Sequence, residues 1–182
     1  MIFIDTCIDG LKVIEPTVHA NNYISYRETY NEKIFYKHGI TTQFVQDNQS
    51  MSKFGVLRGV HVQKNFPQAK IVRVLKGAIW DVAVDMRPES DTYGSWFGIE
   101  LTSDNCKQLY LPENFAHGFL TLSDEAEVFM KVSDFYHPGD EIGFKWNDND
   151  IGIEWPIDRV QKIILADKDK NWKSFVDTFI KY

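Results

Sequence analysis

The sequence predicts an all-β protein, a sandwich or small barrel trimmed with a few short helices, and three observations predict it. Short segments rich in aromatic and β-branched residues recur along the chain, parted by turn signals such as Ser103-Asp104-Asn105, Pro112-Glu113-Asn114 and Ser123-Asp124. Antiparallel sheets joined by tight turns require spacing of that kind. Residues 56–87, VLRGVHVQKNFPQAKIVRVLKGAIWDVAVDMR, alternate with the strand period of two. Aromatic residues make up 14% of the chain, and their side chains suit a pleated, half-buried surface.

Taken in order, the first fifteen residues hold two extended pieces, MIFI and GLKVIE, on either side of a turn at Asp9-Gly10, after which Pro16 interrupts. YRETYNEKIFYKHG predicts a short helix stopped at Gly39. Ile40–Val45 reads as a strand running into a polar Gln-Asp-Asn turn. In the central stretch Lys70, Val72 and Val74 share one face and Ile71, Arg73 and Leu75 the other. Beyond Lys76-Gly77, Trp80, Val82, Val84 and Met86 oppose Asp81 and Asp85. A face that mixes His, Gln and Lys with apolar neighbours predicts a barrel with a partly polar, ligand-holding interior, with His61 and Lys70 at its chemical centre. GSWFGIELT, CKQLYLP, AHGFLTLS and AEVFMKVSDFY supply further strands. The run HPGDEIGFKWNDNDIGIEWP reads as loop, and Asp169–Ile180 places Trp172, Phe175, Val176 and Phe179 at helical spacing, predicting one closing helix.

Composition narrows the function. At 182 residues, with 43% hydrophobic and 25% charged residues, the chain fits one soluble domain spanning 1–182. A net charge of −6 and a pI of about 5.3 argue against nucleic acid or an anionic membrane as partner. No apolar run approaches the ~20 residues of a membrane span, and the N-terminus lacks the pattern of a signal peptide. Two cysteines without a CxxC spacing fit a reducing, cytoplasmic setting.

FVQDN (44–48), VLRGVHVQ (56–63), QAKIVRVLKGAIWDVAVDMR (68–87), QLYLPENFAHGF (108–119) and WNDNDIGIEWP (146–156) occur in order along nearly the whole chain. Together they resemble the dTDP-4-dehydrorhamnose 3,5-epimerase family. The resemblance implies a cupin jelly-roll barrel, a homodimer whose N-terminal segments reach into the partner's site, a nucleotide-diphosphate sugar as substrate, and neither cofactor nor metal. His61 and His117 stand far apart, without the close His/Glu cluster of the metal-binding cupins.

Hydrogens on the carbons beside a ketone are acidic. Their epimerisation needs a base, stabilisation of the enolate, and a proton for the opposite face. His61 suits the base, since imidazole titrates near neutrality. The resemblance implies Asp169 as its dyad partner and Lys70 beside the C4 oxygen of the sugar. It places Arg58 and His117 on the sugar or its diphosphate, and Gln46, Asp47 and Asn48 on the nucleotide. It gives Glu28, Glu141 and Lys168 further substrate contacts, and Tyr136 a stacking position on the base.

Two positions depart from the family pattern. Met130 stands where the family carries its proton-donating tyrosine, and a thioether has no proton to give. Tyr23 stands where a nucleotide-binding arginine is expected. The first departure predicts epimerisation at C3 only. The second opens GDP beside dTDP and a heptose beside a 6-deoxyhexose. The expected activity is therefore an isomerase making an unusual sugar for a surface polysaccharide, such as a capsule or lipopolysaccharide. The competing readings are a complete 3,5-epimerase of rhamnose synthesis and a catalytically silent sugar-nucleotide-binding module.

Overall fold

The computed structural model describes residues 1–180. Its strands are β1 (Ile2–Asp5), β2 (Lys12–Glu15), β3 (Val18–Ala20), β4 (Ser25–Arg27), β5 (Gln46–Lys53), β6 (Val56–Gln63), β7 (Lys70–Lys76), β8 (Ala78–Asp85), β9 (Trp96–Thr102), β10 (Gln108–Leu111), β11 (Phe115–Thr121), β12 (Glu125–Val132), β13 (Glu141–Gly143) and β14 (Ile164–Leu165). One sheet has the order β1-β2-β10-β7-β12-β5. The other runs β13-β6-β11-β8-β9, with β14 added beside β6, and β3 and β4 form a separate hairpin. From β5 to β13 successive strands cross from one sheet to the other, except that β8 and β9 pair as neighbours, giving the jelly-roll arrangement.

The two-residue alternation decides what lies between the sheets. Val72 and Val74 of β7, Ala83 of β8, Leu109 and Leu111 of β10, Phe115 and Phe119 of β11 and Val128 of β12 form the inner core. The opposite face of β7 sends Ile71 outward, where Phe35, Ile40 and Tyr110 cover it. Val82, Val84 and Met86 face out of the second sheet and pack beneath Phe144, Trp155 and Phe175. The second sheet is thus apolar on both faces, and the first is so where α1 and its neighbours cover β2, β10 and β7, as strands covered on both sides must be.

The helix α1 (Glu32–Lys37) lies inside the stretch predicted for it. Asn31 caps it by accepting from the backbone N–H groups of Lys33 and Ile34, and Gly39 ends the turn at φ +82°.

Three expectations are corrected. Residues 40–45 form no strand, and the polar Gln46-Asp47-Asn48 segment begins one. β5 pairs with β12 from Gln46 opposite Val132 to Lys53 opposite Glu125. Its polarity reads as a turn because one face borders a cavity and the other meets solvent. The run 137–156 is not all loop, since β13 pairs with β6 with Glu141 opposite Gln63 and Gly143 opposite His61. Among the described residues the closing helix covers only Val176–Ile180, with the wide π-type turn. Asp169 and Trp172 are engaged toward β6, and the Phe175 N–H donates to buried Asp148 at 2.8 Å. The aromatic spacing there records packing against the sheet rather than a continuous helix.

Candidate active site

A cavity of about 460 Å³ opens at one end between the sheets. β6 and β11 supply Arg58, His61, Gln63 and His117. β5, β7 and β12 supply Gln46, Asn48, Ser50, Lys70 and Met130, while Glu141, Lys168 and Tyr136 complete the lining from the mouth.

Simple alternation would place Arg58 and His61 on opposite faces of β6. They share the cavity because the register against β11 shifts within this stretch, with Arg58 opposite Phe119 and His61 opposite His117. Gly59 occupies the shift at φ +106°, and a Cβ there would lie 2.5 Å from the His117 carbonyl oxygen. Only glycine suits both the dihedral and the contact.

The His61 ring sits between two carboxylates. Its Nδ1 is 3.4 Å from Glu141 Oε1, and its Nε2 is 4.0 Å from Asp169 Oδ1. Asp169 is fully buried and accepts from the Gly59 N–H at 3.3 Å and from the Trp172 indole N–H at 3.2 Å. It stands behind the ring beyond hydrogen-bond distance, whereas Glu141, expected on the substrate, lies nearer. Glu141 also pairs with Lys168 at 2.7 Å. Burial first, then the charges of Lys168, Lys70, His117 and Arg58, hold the imidazole well below its ordinary pKa. It is a neutral base at physiological pH.

Lys70 belongs to the facing sheet. Burial pushes its ammonium down to about 8, against the opposing charge of Glu141. His117 is fixed from behind by buried Asp81 at 2.7 Å while its ring borders the cavity, so the core hydrogen bond and the cavity position coexist. Met130 lines the cavity wall, paired with Asn48 on one side and Val72 on the other.

Two residues expected at the site lie elsewhere in this chain. Asp47 alternates outward from Gln46 and Asn48 and pairs with Lys131 at 2.7 Å. Glu28 accepts from the Asn31 side chain and lines a recess with Met1, Thr17, His19 and Tyr26. Tyr23 stands at the tip of the β3–β4 hairpin, 93% exposed, where Asn21 accepts from its N–H and from that of Ile24. Tyr136 is half-exposed at the cavity mouth.

Sequence reasoning passed over the part played by Trp172, and it named Gln63 only as a member of the polar strand face. Trp172 holds Asp169, and its ring lies near His61, 6.4 Å between centroids. Gln63 donates to the carbonyls of Phe66 and Phe135 and accepts from the His137 N–H, tying together two rim loops. Gln63 shares the alternating face of His61, which was the available signal. Trp172 lies more than a hundred residues away and gave none. Among the described residues, no group of three or more His, Cys, Asp or Glu side chains is placed to hold a metal ion. No helix there is long and apolar enough to cross a membrane.

Known proteins share this fold. The family model described as dTDP-4-dehydrorhamnose 3,5-epimerase matches residues 5–177. The enzyme of that name from Methanothermobacter thermautotrophicus is 51% identical over 171 residues, covering 94% of this chain and 92% of the relative. The crystal structure of dTDP-6-deoxy-D-glucose-3,5-epimerase from Legionella pneumophila, in complex with dTDP-4-keto-L-rhamnose, is 41% identical with a TM-score of 0.90, covering 94% of this chain and 91% of that one. ChmJ from Streptomyces bikiniensis, a 3'-monoepimerase solved with dTDP-quinovose, is 28% identical with a TM-score of 0.85, over 94% and 86%. A matched length of that extent, on the same fold, leads to one conclusion: this chain belongs to the dTDP-4-dehydrorhamnose 3,5-epimerase family of isomerases.

Proposed function

We propose that the protein epimerises a dTDP-linked 4-keto-6-deoxy sugar at C3 by enolate chemistry. The observation that carries this reading is a neutral His61, flanked by Glu141 and Asp169 and facing the cationic Lys70 within one cavity. His61 takes the proton from C3, and the imidazolium so formed gains from both carboxylates. Lys70, near the C4 oxygen, favours the enolate charge in a site shielded from water. Arg58 and His117 bind the sugar or diphosphate, Gln46, Asn48 and Lys168 extend that contact, and Tyr136 at the mouth stacks on the base. The Legionella and Streptomyces structures hold dTDP ligands, which favours dTDP over GDP here.

Met130 carries the restriction to C3. A second reading, inversion at C3 and C5, is favoured by the 3,5-epimerase names of the relatives at 51% and 41% identity. We place Glu28 at the cavity of a second copy. Its own chain leaves it in a separate recess, and the hairpin bearing Tyr23, Ile24 and Tyr26 is exposed. Such a homodimer sediments at twice the 21.2 kDa of the chain, and a monomer at working concentration would overturn it.

The test of the activity is deuterium uptake from heavy water into a dTDP-4-keto-6-deoxy sugar, read by mass spectrometry. Wild-type protein incorporates deuterium, and His61→Asn loses about a hundredfold or more of that rate. Binding without uptake would leave a silent module, and undiminished uptake by His61→Asn would place the base elsewhere.

A further inference from the structure

Inversion needs a proton on the side of the sugar ring away from His61, and the wall facing His61 is built by β5, β7 and β12. Met130 occupies the middle of that wall and has no proton to transfer. Gln46, Asn48, Gln49 and Gln68 present amides, and Ser50 an alcohol whose oxygen is buried without a hydrogen-bond partner. None of these releases a proton near neutrality. Tyr136 sits half-exposed at the mouth.

Lys70 is different. In the register of β7 against β12 it lies opposite Val132, two residues beyond Met130 and therefore on the same face. Its ammonium makes one long hydrogen bond, 3.4 Å to the Gln68 carbonyl, and no carboxylate lies within ion-pair distance of it among the described residues. The charged and titratable groups facing it are Glu141 of β13, His61 and Arg58 of β6, His117 of β11, Lys168 and the rim Tyr136.

We infer that Lys70, besides favouring the enolate, supplies the proton that completes inversion in this chain. This role rests on the epimerase reading above. The C3–H bond breaks as its proton passes to His61, and the electron pair enters the enolate. Collapse of the enolate draws a proton from Lys70 Nζ to the opposite face of C3, leaving a neutral amine. Water then removes a proton from the imidazolium and returns one to the amine, so no further reactant enters. An ammonium that titrates at about 8 is protonated at neutrality and is far more acidic than an ordinary lysine.

The experiment compares two rates in heavy water: exchange of the C3 hydrogen with retained configuration, and inversion at C3. Lys70→Arg keeps the cation but gives up no proton. Exchange, completed by return of deuterium from His61, slows with the displaced cation, while inversion is expected to fall about tenfold or more further than exchange does. Adding Met130→Tyr to Lys70→Arg is expected to restore inversion, because a phenol then stands on the same wall. Exchange and inversion falling in step, with no recovery in the double variant, would overturn the inference and leave Lys70 as an electrostatic group only. Absence of exchange in the wild-type protein would instead overturn the epimerase reading on which the inference stands.

Discussion

His61 illustrates how a residue's chemistry is made by what surrounds it. A histidine flanked by two carboxylates would ordinarily be held protonated, yet burial and four basic neighbours outweigh them. The sign follows directly. The imidazole is a competent base at any pH above its lowered pKa, so activity should not fall as pH drops from 8 toward 6.5. Lys70 loses its proton as pH rises through about 8, and with it the charge and the proton that the proposed roles require. A profile of kcat/KM against pH is therefore expected to be flat between about 6.5 and 7.5 and to decline above about 8. A profile already half lost at a pH of about 6.5, as the ordinary titration of imidazole gives, would show His61 to be less shielded than its surroundings indicate.

At the scale of elements, the bulge in β6 does the work of assembling the site. Alternation made His61, Gln63 and the partly polar face of β7 legible in the sequence, and it grouped Val72 with Val74 and Val82 with Val84 on the faces they share. It could not place Arg58 beside His61, because a register shift is a property of the pair of strands. Nor could it recognise β5, whose polar residues are a cavity wall only because β12 lies alongside. The closing helix was over-read for a similar reason: Asp148, distant in sequence, captures the Phe175 N–H. Gly59→Ala is expected to cost about 2 kcal/mol or more of unfolding free energy, from the positive φ and the contact with the His117 carbonyl. Urea denaturation measures it, and an unchanged midpoint would mean that β6 accommodates a side chain without the shift. The same substitution disturbs the N–H that holds Asp169, so activity should fall more than stability alone explains.

The whole molecule is two sheets that close an apolar core between them and leave one end open. His61 and His117 come from one sheet, and Lys70, Asn48 and Met130 from the other, so a sugar bound as proposed would lie between an imidazole and a cation on opposite walls. The chemistry is thus set by the separation of the sheets, which no single motif contains. Alternation and the mixed polar face pointed to a ligand-holding interior centred on His61 and Lys70, but which strand belongs to which sheet follows from the pairing alone. The N-terminal hairpin contributes nothing to the cavity of its own chain, and its role belongs to the proposed assembly.

The most direct test of this account is NMR of a dTDP-4-keto-6-deoxy sugar incubated with the protein in heavy water, with C3 and C5 resolved. Deuterium and inversion at C3, with hydrogen and configuration retained at C5, is the predicted result. Inversion at both carbons would contradict it, and would mean that the wall holding Met130 serves both centres.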